Sequence, residues 1–243
     1  MERPNAYESG CMQEVMGDAL RPGGFILTDF AAEYCALTTK NSVLDLGCGR
    51  GATVRHLFEK YAIEALGVDS SEKLIEEAGN SYGFDAFVRA EGENLPFEDD
   101  SFDCVFAECS LSLMDADAAL KQVRRVLRGN GFFVISDVYA KSPDSLDELK
   151  SFSLNSCMRS LHNLEKLKNK LEESDFSLAY SEDCSHFLNE LLVIIVFSYG
   201  SMGEFWKTAA GNCISGEDFY RALKKCRPGY FLLIARKREA AYE

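Results

Sequence analysis

The residues best suited to chemistry in this chain are an aspartate and three glycines in the stretch Val43–Gly51, which reads VLDLGCGRG. Asp45 ends a short apolar run, and Gly47, Gly49 and Gly51 follow it at alternating positions. Glycine lets the backbone turn sharply and approach a ligand closely, because it has no Cβ. The Asp45 carboxylate can hold an ammonium group but would repel a pyrophosphate. The stretch therefore predicts a cradle for a nucleotide-type cofactor.

Two flanking elements must position this loop. The residues before it, Val43–Leu46, are typical of a strand that is buried in a parallel sheet. The residues after it predict a helix over Thr53–Tyr61, whose N-terminus would point at the ligand. A second apolar run, Glu64–Asp69, ends in an acid that can accept hydrogen bonds from two ribose hydroxyls. The glycines with Ala52 also fit the loose dinucleotide pattern G-x-G-x-x-[GA], so a nicotinamide cofactor stays open as a distant alternative.

Strands and helices alternate along the middle of the chain. The predicted elements are strands Val43–Leu46, Glu64–Asp69, Ala86–Arg89, Asp103–Ala107 and Phe132–Asp137, and helices Thr53–Tyr61, Ser71–Asn80 and Asp115–Leu127. Strands separated by helical segments imply a parallel sheet with helices on both faces. Arg128–Gly131 (RGNG) predicts the helix stop before the fifth strand. A last strand is expected at Gly229–Arg236, after a long apolar segment, Phe187–Trp206, that is expected to be helical.

We expect a single domain, because the chain has 243 residues of which 47% are hydrophobic. Within it, residues 1–40 are expected to form an N-terminal helical cap and residues 41–141 the cofactor-binding core. Residues 142–228 are expected to form a C-terminal helical region with an insert, and residues 229–238 the last strand. Inside the helical region, Ser145–Ser174 predicts two helices, and Ser185–Arg227 predicts an insert near the mouth of the active site.

Charge, apolar runs and cysteine content indicate which partners, compartment and metal sites to expect. The formal net charge of −13 disfavours a nucleic-acid partner. The longest apolar run, Leu191–Phe197, is too short to span a bilayer, and the polar N-terminus does not resemble a signal peptide. We therefore expect no membrane span and a cytoplasmic protein whose nine cysteines are reduced. The cysteines lack zinc-ligand spacing, so no metal ligands are expected.

The Asp45–Gly51 loop resembles the cofactor motif of class I S-adenosylmethionine (SAM)-dependent methyltransferases. Asn94–Phe106 (NLPFEDDSFDCVF) resembles the methyltransferase type 11 subgroup, which includes menaquinone and ubiquinone biosynthesis enzymes. The resemblance is closest over Asn41–Lys141. It implies a Rossmann-like α/β fold: a seven-stranded, mostly parallel sheet with an antiparallel last strand, helices on both faces, and N-terminal and C-terminal helical covers. It also implies SAM as the cofactor and methyl transfer to a small-molecule acceptor as the activity.

The resemblance carries roles over to particular residues. Asp45 and the glycine loop would hold the amino and carboxylate ends of the methionine part of SAM, and Asp69 would take the ribose hydroxyls. Glu91 stands where the family usually has an aspartate that receives the adenine amino group. Arg21 is a candidate partner for the methionine carboxylate. The candidate cofactor-binding residues are Asp45, Gly47, Cys48, Gly49, Gly51, Asp69, Ser70, Glu91, Gly92, Glu93, Glu108, Arg21 and Thr28.

On the acceptor side, the loop Ala107–Leu113 (AECSLSL) would lie beside the methyl-bearing sulfur. Together with Ser136–Ala140 (SDVYA), it resembles the arsenite methyltransferases, which have one cysteine in this loop and a second after the fifth strand. Cys109 and Cys157 fall at those positions, and thiolates are suitable ligands for a thiophilic metalloid. The further N-terminal cysteines of that family have a single counterpart here, Cys11. Buried packing roles for both thiols stay open, because free cysteine is also a common small hydrophobe.

His186 is a third catalytic candidate, because an imidazole titrates near neutral pH, although a structural role for it stays open. Three functions follow from the sequence: a SAM-dependent methyltransferase that acts on a small molecule, an arsenite or metalloid methyltransferase that uses Cys109 and Cys157, and a SAM-binding module or sensor without turnover. The long apolar insert favours the last of these. An exposed apolar face could also join two copies into a homodimer through the C-terminal helical region.

Overall fold

Seven strands form one sheet with helices packed around it. The structure, a computed structural model, describes residues 4–82 and 84–239. Within these ranges the strands are β1 (Val43–Leu46), β2 (Ala65–Asp69), β3 (Phe87–Arg89), β4 (Phe102–Glu108), β5 (Leu127–Ala140), β6 (Phe176–Asp183) and β7 (Pro228–Lys237). The α-helices are α1 (Gly10–Met16), α2 (Ile26–Tyr34), α3 (Ala52–Tyr61), α4 (Glu72–Tyr82), α5 (Ala116–Val126), α6 (Leu146–Lys150), α7 (Leu164–Glu173), α8 (Ser185–Tyr199), α9 (Met202–Ala209) and α10 (Gly216–Cys226).

The strand order is β3-β2-β1-β4-β5-β7-β6. Strands β1 to β5 pair in parallel, whereas β7 runs antiparallel to both of its neighbours. This confirms the predicted seven-stranded, mostly parallel sheet with an antiparallel last strand. The chain moves outward from β1 through β2 and β3 and then continues as β4 on the other side of β1. The order therefore reverses between β1 and β4, and ligands of open α/β sheets bind at the carboxyl ends of strands at such a point.

The central strands are buried on both faces, which is why they read as apolar runs rather than as alternating patterns. Helix α5 covers part of one face with Leu120 and Val123, which are fully buried. The side chain of Asp115 caps this helix by accepting a hydrogen bond from the N–H of Ala118 at 3.0 Å. Amphipathic helices of this kind complete the layers that the alternating pattern predicts.

Strand β5 begins earlier than the sequence predicts. Helix α5 ends at Val126, before the RGNG segment, as a helix stop there requires. However, Leu127 is already extended, so Arg128–Gly131 belongs to the strand. The side chain of Arg128 forms an ion pair with Asp103 at 2.8 Å, which holds this leading part of β5 beside β4.

The long apolar segment is two helices rather than one. The axes of α8 and α9 differ in direction by 84°. Gly200, with φ +73°, ends α8, and the side chain of Ser201 begins α9 by accepting a hydrogen bond from the N–H of Glu204 at 3.1 Å. Among the described residues no single helix is long and apolar enough to cross a bilayer, although α8 and α9 together meet that criterion by length and composition alone.

Candidate active site

A cleft with a cavity volume of about 140 Å³ lies beyond the carboxyl ends of β1 and β4, where the strand order reverses. Its walls come from the glycine loop, the ends of β2 and β4, and the segment before α2. Most of the predicted cofactor residues line it: Arg21, Asp45, Gly47, Cys48, Gly49, Asp69, Ser70, Glu91, Gly92, Glu93 and Glu108.

The glycine loop needs glycine for two physical reasons. Gly47 and Gly51 have φ values of +80° and +77°, which L side chains rarely adopt. A Cβ at Gly47 would also lie 2.3 Å from the Cβ of Ser110, and one at Gly51 would lie 2.4 Å from the ring of Phe87. Gly51 does not line the cleft, so its role is to let the loop pack closely against β3.

Asp69, at the end of β2, is held by backbone donors. One of its carboxylate oxygens accepts the N–H of Gly49 at 2.9 Å, and the other accepts the N–H of Ser71 at the same distance. Burial raises the pKa of this carboxyl, although these hydrogen bonds oppose the shift. The side chain is therefore fixed at the wall of the cleft, beside the glycine loop.

Asp45, at the end of β1, is a buried carboxyl in an acidic environment. Burial and the nearby Glu108 raise its pKa to about 8, and Arg21 opposes this shift. A cation bound in the cleft would favour the ionised form of Asp45, because it would supply the positive charge that the surroundings lack.

A buried network joins the N-terminal segment to the end of β4. The guanidinium of Arg21 lies 3.0 Å from the carboxylate of Glu108 and donates a hydrogen bond to the hydroxyl of Thr28 at 2.8 Å. Thr28 and Thr53 each donate to Glu108, at 2.8 and 2.9 Å. Thr28 is thus behind the cleft wall rather than on it, and it positions Arg21 and Glu108, which do line the cleft.

The cleft is strongly acidic. The residues that line the cleft carry six carboxyl groups and one guanidinium, that of Arg21. The six carboxyl groups are those of Asp18, Asp45, Asp69, Glu91, Glu93 and Glu108. Such a surface attracts cations and disfavours polyanions such as a nucleotide pyrophosphate.

The structure brings the two predicted cysteines together. The sulfur atoms of Cys109 and Cys157 and a carboxylate oxygen of Asp137 all lie within 4.8 Å of one another, and all three residues are buried. Asp137, at the carboxyl-end half of β5, accepts hydrogen bonds from the N–H and hydroxyl of Ser112 at 2.9 and 3.0 Å. Together with Asp137, the two thiols form a group of three residues that could bind a metal ion. The sequence led us to expect no metal ligands. The hydrogen bond with Cys157 and burial raise the pKa of the Cys109 thiol.

Tyr7 closes this cluster from the N-terminal side. Its hydroxyl accepts the N–H of Cys157 at 3.1 Å, a contact between residues 150 positions apart. Burial, together with Cys157 and Cys109, raises its pKa well above the usual value, so the phenol is neutral near pH 7. Sequence reasoning places Tyr7 only in a general N-terminal cover, because no local pattern shows a contact of such long range.

The two histidines near the C-terminal region differ in position. His186 is exposed at the start of α8, with its ring centroid 4.0 Å from that of Phe187, and it lines neither this cleft nor the apolar cavity described below. His162 lies with its Nε2 3.2 Å from Asp137. The structure therefore brings His162, rather than the predicted His186, next to Asp137 of this cluster.

Comparison with known proteins agrees with this geometry. Residues 44–135 match the model of a family described as a methyltransferase domain. An uncharacterised methyltransferase of Bacillus subtilis is 37% identical over 117 residues, which cover 45% of this chain and 45% of that protein. The chain spans between 45 and 64% of the length of the first curated relatives that it matches.

Two solved structures share the fold. Phosphoethanolamine N-methyltransferase 2 of Haemonchus contortus, in complex with SAM, superposes with a TM-score of 0.75 at 18% identity, over 95% of this chain and 56% of that chain. The [4+2]-cyclase SpnF superposes with a TM-score of 0.71 at 23% identity, over 99% of both chains. Residues 44–135 therefore match a methyltransferase domain, and the strand order with the glycine loop at the β1–β4 reversal agrees with the fold that the SAM-bound structure shares.

Proposed function

We propose that this chain is an enzyme that transfers the methyl group of SAM to a small-molecule acceptor. The observation that carries this proposal is the acidic cleft at the β1–β4 reversal, in which the glycine loop, Asp45 and Asp69 lie together. The match of residues 44–135 to a methyltransferase domain supports it.

Each part of SAM has a suitable partner in the cleft. Asp45 would receive the α-ammonium group, and Asp69 would accept hydrogen bonds from the ribose hydroxyls. Glu91 and the N–H of Gly92 would take the adenine edge, since both line the same cleft. With the nucleoside at β2 and the amino acid at β1, the sulfonium would face the loop that begins at Cys109.

Bound SAM supplies an electrophilic methyl group, which the acceptor attacks in line with the departing sulfur. The chain would contribute the position of both reactants and the exclusion of water. The acidic lining would hold the sulfonium and ammonium charges near the reacting end. No residue is required to form a covalent bond in this step.

Isothermal titration calorimetry with SAM and S-adenosylhomocysteine tests the cofactor assignment. We expect both to bind the wild type and Asp69→Ala to weaken binding by more than about tenfold, because two backbone donors and the ribose lose a common acceptor. Asp147→Ala removes an exposed carboxylate that does not line the cleft, and it should leave the affinity unchanged.

Folded wild type that binds neither compound would overturn the proposed function. Unchanged affinity in Asp69→Ala would remove only the ribose assignment. Binding of SAM without turnover in a broad screen of methyl acceptors would indicate a SAM-binding module or sensor instead of an enzyme.

A metalloid acceptor is the second candidate, and the convergence of Cys109, Cys157 and Asp137 favours it. Arsenite could exchange its hydroxyls for the two sulfurs, with each thiol proton leaving in a water molecule. The arsenic lone pair would then attack the methyl group without a general base. Because the pKa of Cys109 is raised, the As–S bonds would have to offset the loss of its proton.

Incubation with arsenite and SAM, followed by separation of arsenic species, tests this candidate. We expect methylated arsenic from the wild type and at least a tenfold loss in Cys109→Ser and in Cys157→Ser. Cys213→Ser is the matched control, because Cys213 is exposed and outside the cluster. Equal yields from all four proteins would show that the two buried thiols serve packing.

A further inference from the structure

A second cavity adjoins the cofactor cleft and lies under α8 and α9. It is narrow in this structure, with a cavity volume of about 30 Å³. Tyr7, Leu20 and Cys109 line both spaces, so the cavity and the cleft meet at the end of β4. A molecule in this cavity would therefore reach the part of the cleft where the methyl group is expected.

The wall of this cavity is apolar. Leu188, Leu191 and Ile195 of α8 line it, together with Phe205 of α9. Among the described residues that line it, none carries a charge. A charged ligand would lose its hydration there without gaining a partner, so the cavity selects for hydrocarbon.

Three methionines, Met12, Met16 and Met158, also line the cavity. Methionine side chains are unbranched and flexible, and they adapt to ligands of different outline without a change in the backbone. The cavity can therefore widen around a guest although α8 and α9 already cover it.

One polar group in this apolar wall lacks a partner. Trp206 is 2% exposed, and within residues 4–82 and 84–239 its indole N–H makes no hydrogen bond. The ring is held edge-on between Phe205 and Phe219, each with a centroid distance of 5.0 Å. A buried donor without an acceptor is unfavourable, and a ligand oxygen would remove that cost.

We propose, on the basis of the methyl-transfer function above, that this cavity binds the hydrocarbon part of the methyl acceptor and that Trp206 donates a hydrogen bond to a neutral oxygen on it. The acceptor is then a lipophilic molecule with a ketone, ester or ether oxygen. Its nucleophilic group lies at Tyr7 and Cys109, where the cavity opens into the cleft.

Equilibrium dialysis with radiolabelled 2-decanone tests this proposal, with 2-methyl-1-decene as the isostere in which CH₂ replaces the ketone oxygen. We expect the wild type to bind the ketone at least fivefold more tightly than the alkene. Trp206→Phe should abolish that preference, because it keeps an aromatic ring and removes the donor. Trp206 is the only tryptophan in the sequence, so its fluorescence should also change when the ketone binds.

Two variants of α8 locate the binding site. Ile195→Phe fills the cavity from its wall, where Ile195 is 3% exposed, and should weaken ketone binding at least tenfold. Val193→Phe makes a similar change on the outer face, where Val193 is 56% exposed, and should leave binding unchanged. Titration with S-adenosylhomocysteine checks that each variant is folded.

Wild type that binds S-adenosylhomocysteine but not 2-decanone would overturn this inference and leave the methyl-transfer function standing. Equal ketone affinity in the wild type and in folded Ile195→Phe would overturn it as well, and so would an unchanged preference in Trp206→Phe. Folded wild type that fails to bind S-adenosylhomocysteine would count against the methyl-transfer function itself.

Discussion

At the scale of single residues, the surroundings of Asp45 disfavour the ionised form of its carboxyl group. Its pKa of about 8 lies above the ordinary value for an aspartate, because of burial and Glu108. The folded protein therefore binds more protons at this site than the unfolded chain does. The stability that this group contributes is present at low pH and falls as the pH rises through about 8.

Ligand binding should reverse that protonation. We expect the SAM ammonium group to ionise Asp45, so that binding between about pH 6 and pH 7 releases about one proton and the affinity rises with pH by up to about tenfold per unit. In this range the α-amino group of the ligand stays protonated. Calorimetry in two buffers of different ionisation enthalpy measures the released proton.

Asp45→Asn is the control for this prediction. The variant should bind SAM more weakly and release no proton, because the amide cannot titrate. If the variant and the wild type release the same number of protons, a group other than Asp45 is responsible.

At the scale of elements, the turn between β1 and α3 depends on Gly47. We expect Gly47→Ala to lower the free energy of unfolding by about 2–4 kcal/mol, because it adds backbone strain at φ +80° and a clash with Ser110. Binding of S-adenosylhomocysteine should also weaken. Urea denaturation followed by circular dichroism gives the change in stability.

Gly129→Ala serves as the matched substitution. A Cβ at Gly129, near the start of β5, would meet no atom within 4 Å, and its φ lies outside the left-handed region. We expect its unfolding free energy to stay within about 0.5 kcal/mol of the wild type. Equal losses in both variants would mean that the glycine loop has no special backbone requirement.

The central elements could be predicted from the sequence because they depend on local patterns. Apolar runs that end in Asp45 and Asp69 mark β1 and β2 to within a residue, and the glycine loop marks the turn before α3. The break between α8 and α9 was also visible in principle. Gly200 follows the last residue of α8, and Ser201 with Glu204 three positions later is a typical helix start.

Much of the candidate site could not be predicted in this way, because it depends on contacts between distant segments. Tyr7 meets Cys157 only after the N-terminal segment packs across the sheet ends. Asp137 reads as an ordinary strand residue until β5 and the loop after β4 lie side by side. The apolar cavity needs α8 and α9 folded back over Tyr7, and a hydrophobic pattern alone does not specify which face of α8 is covered.

At the scale of the whole molecule, α8 is apolar on both sides. Its inner side covers the cavity, and its outer side leaves Val193, Ile194, Val196 and Phe197 exposed, with Phe197 at 87%. Exposed patches of this kind are typical of interaction surfaces. We propose that two copies of the chain pair through this outer side, as the sequence led us to expect.

Size-exclusion chromatography with light scattering tests the pairing. We expect the mass to rise from one chain toward two with concentration, and Phe197→Ser to weaken the dimer at least tenfold. Phe58→Ser alters an equally apolar residue on α3, 58% exposed, and should leave the dimer intact. A wild type that keeps the mass of one chain at all concentrations would contradict the proposal.

The acidic lining of the cleft also bears on turnover. In the proposed reaction SAM carries a net positive charge and S-adenosylhomocysteine carries none, because the sulfonium becomes a thioether. Six carboxyl groups facing one guanidinium hold the donor more strongly than the spent cofactor. S-adenosylhomocysteine would thus bind more weakly than SAM, which would limit product inhibition. Added salt would reduce the affinity for SAM more than the affinity for S-adenosylhomocysteine.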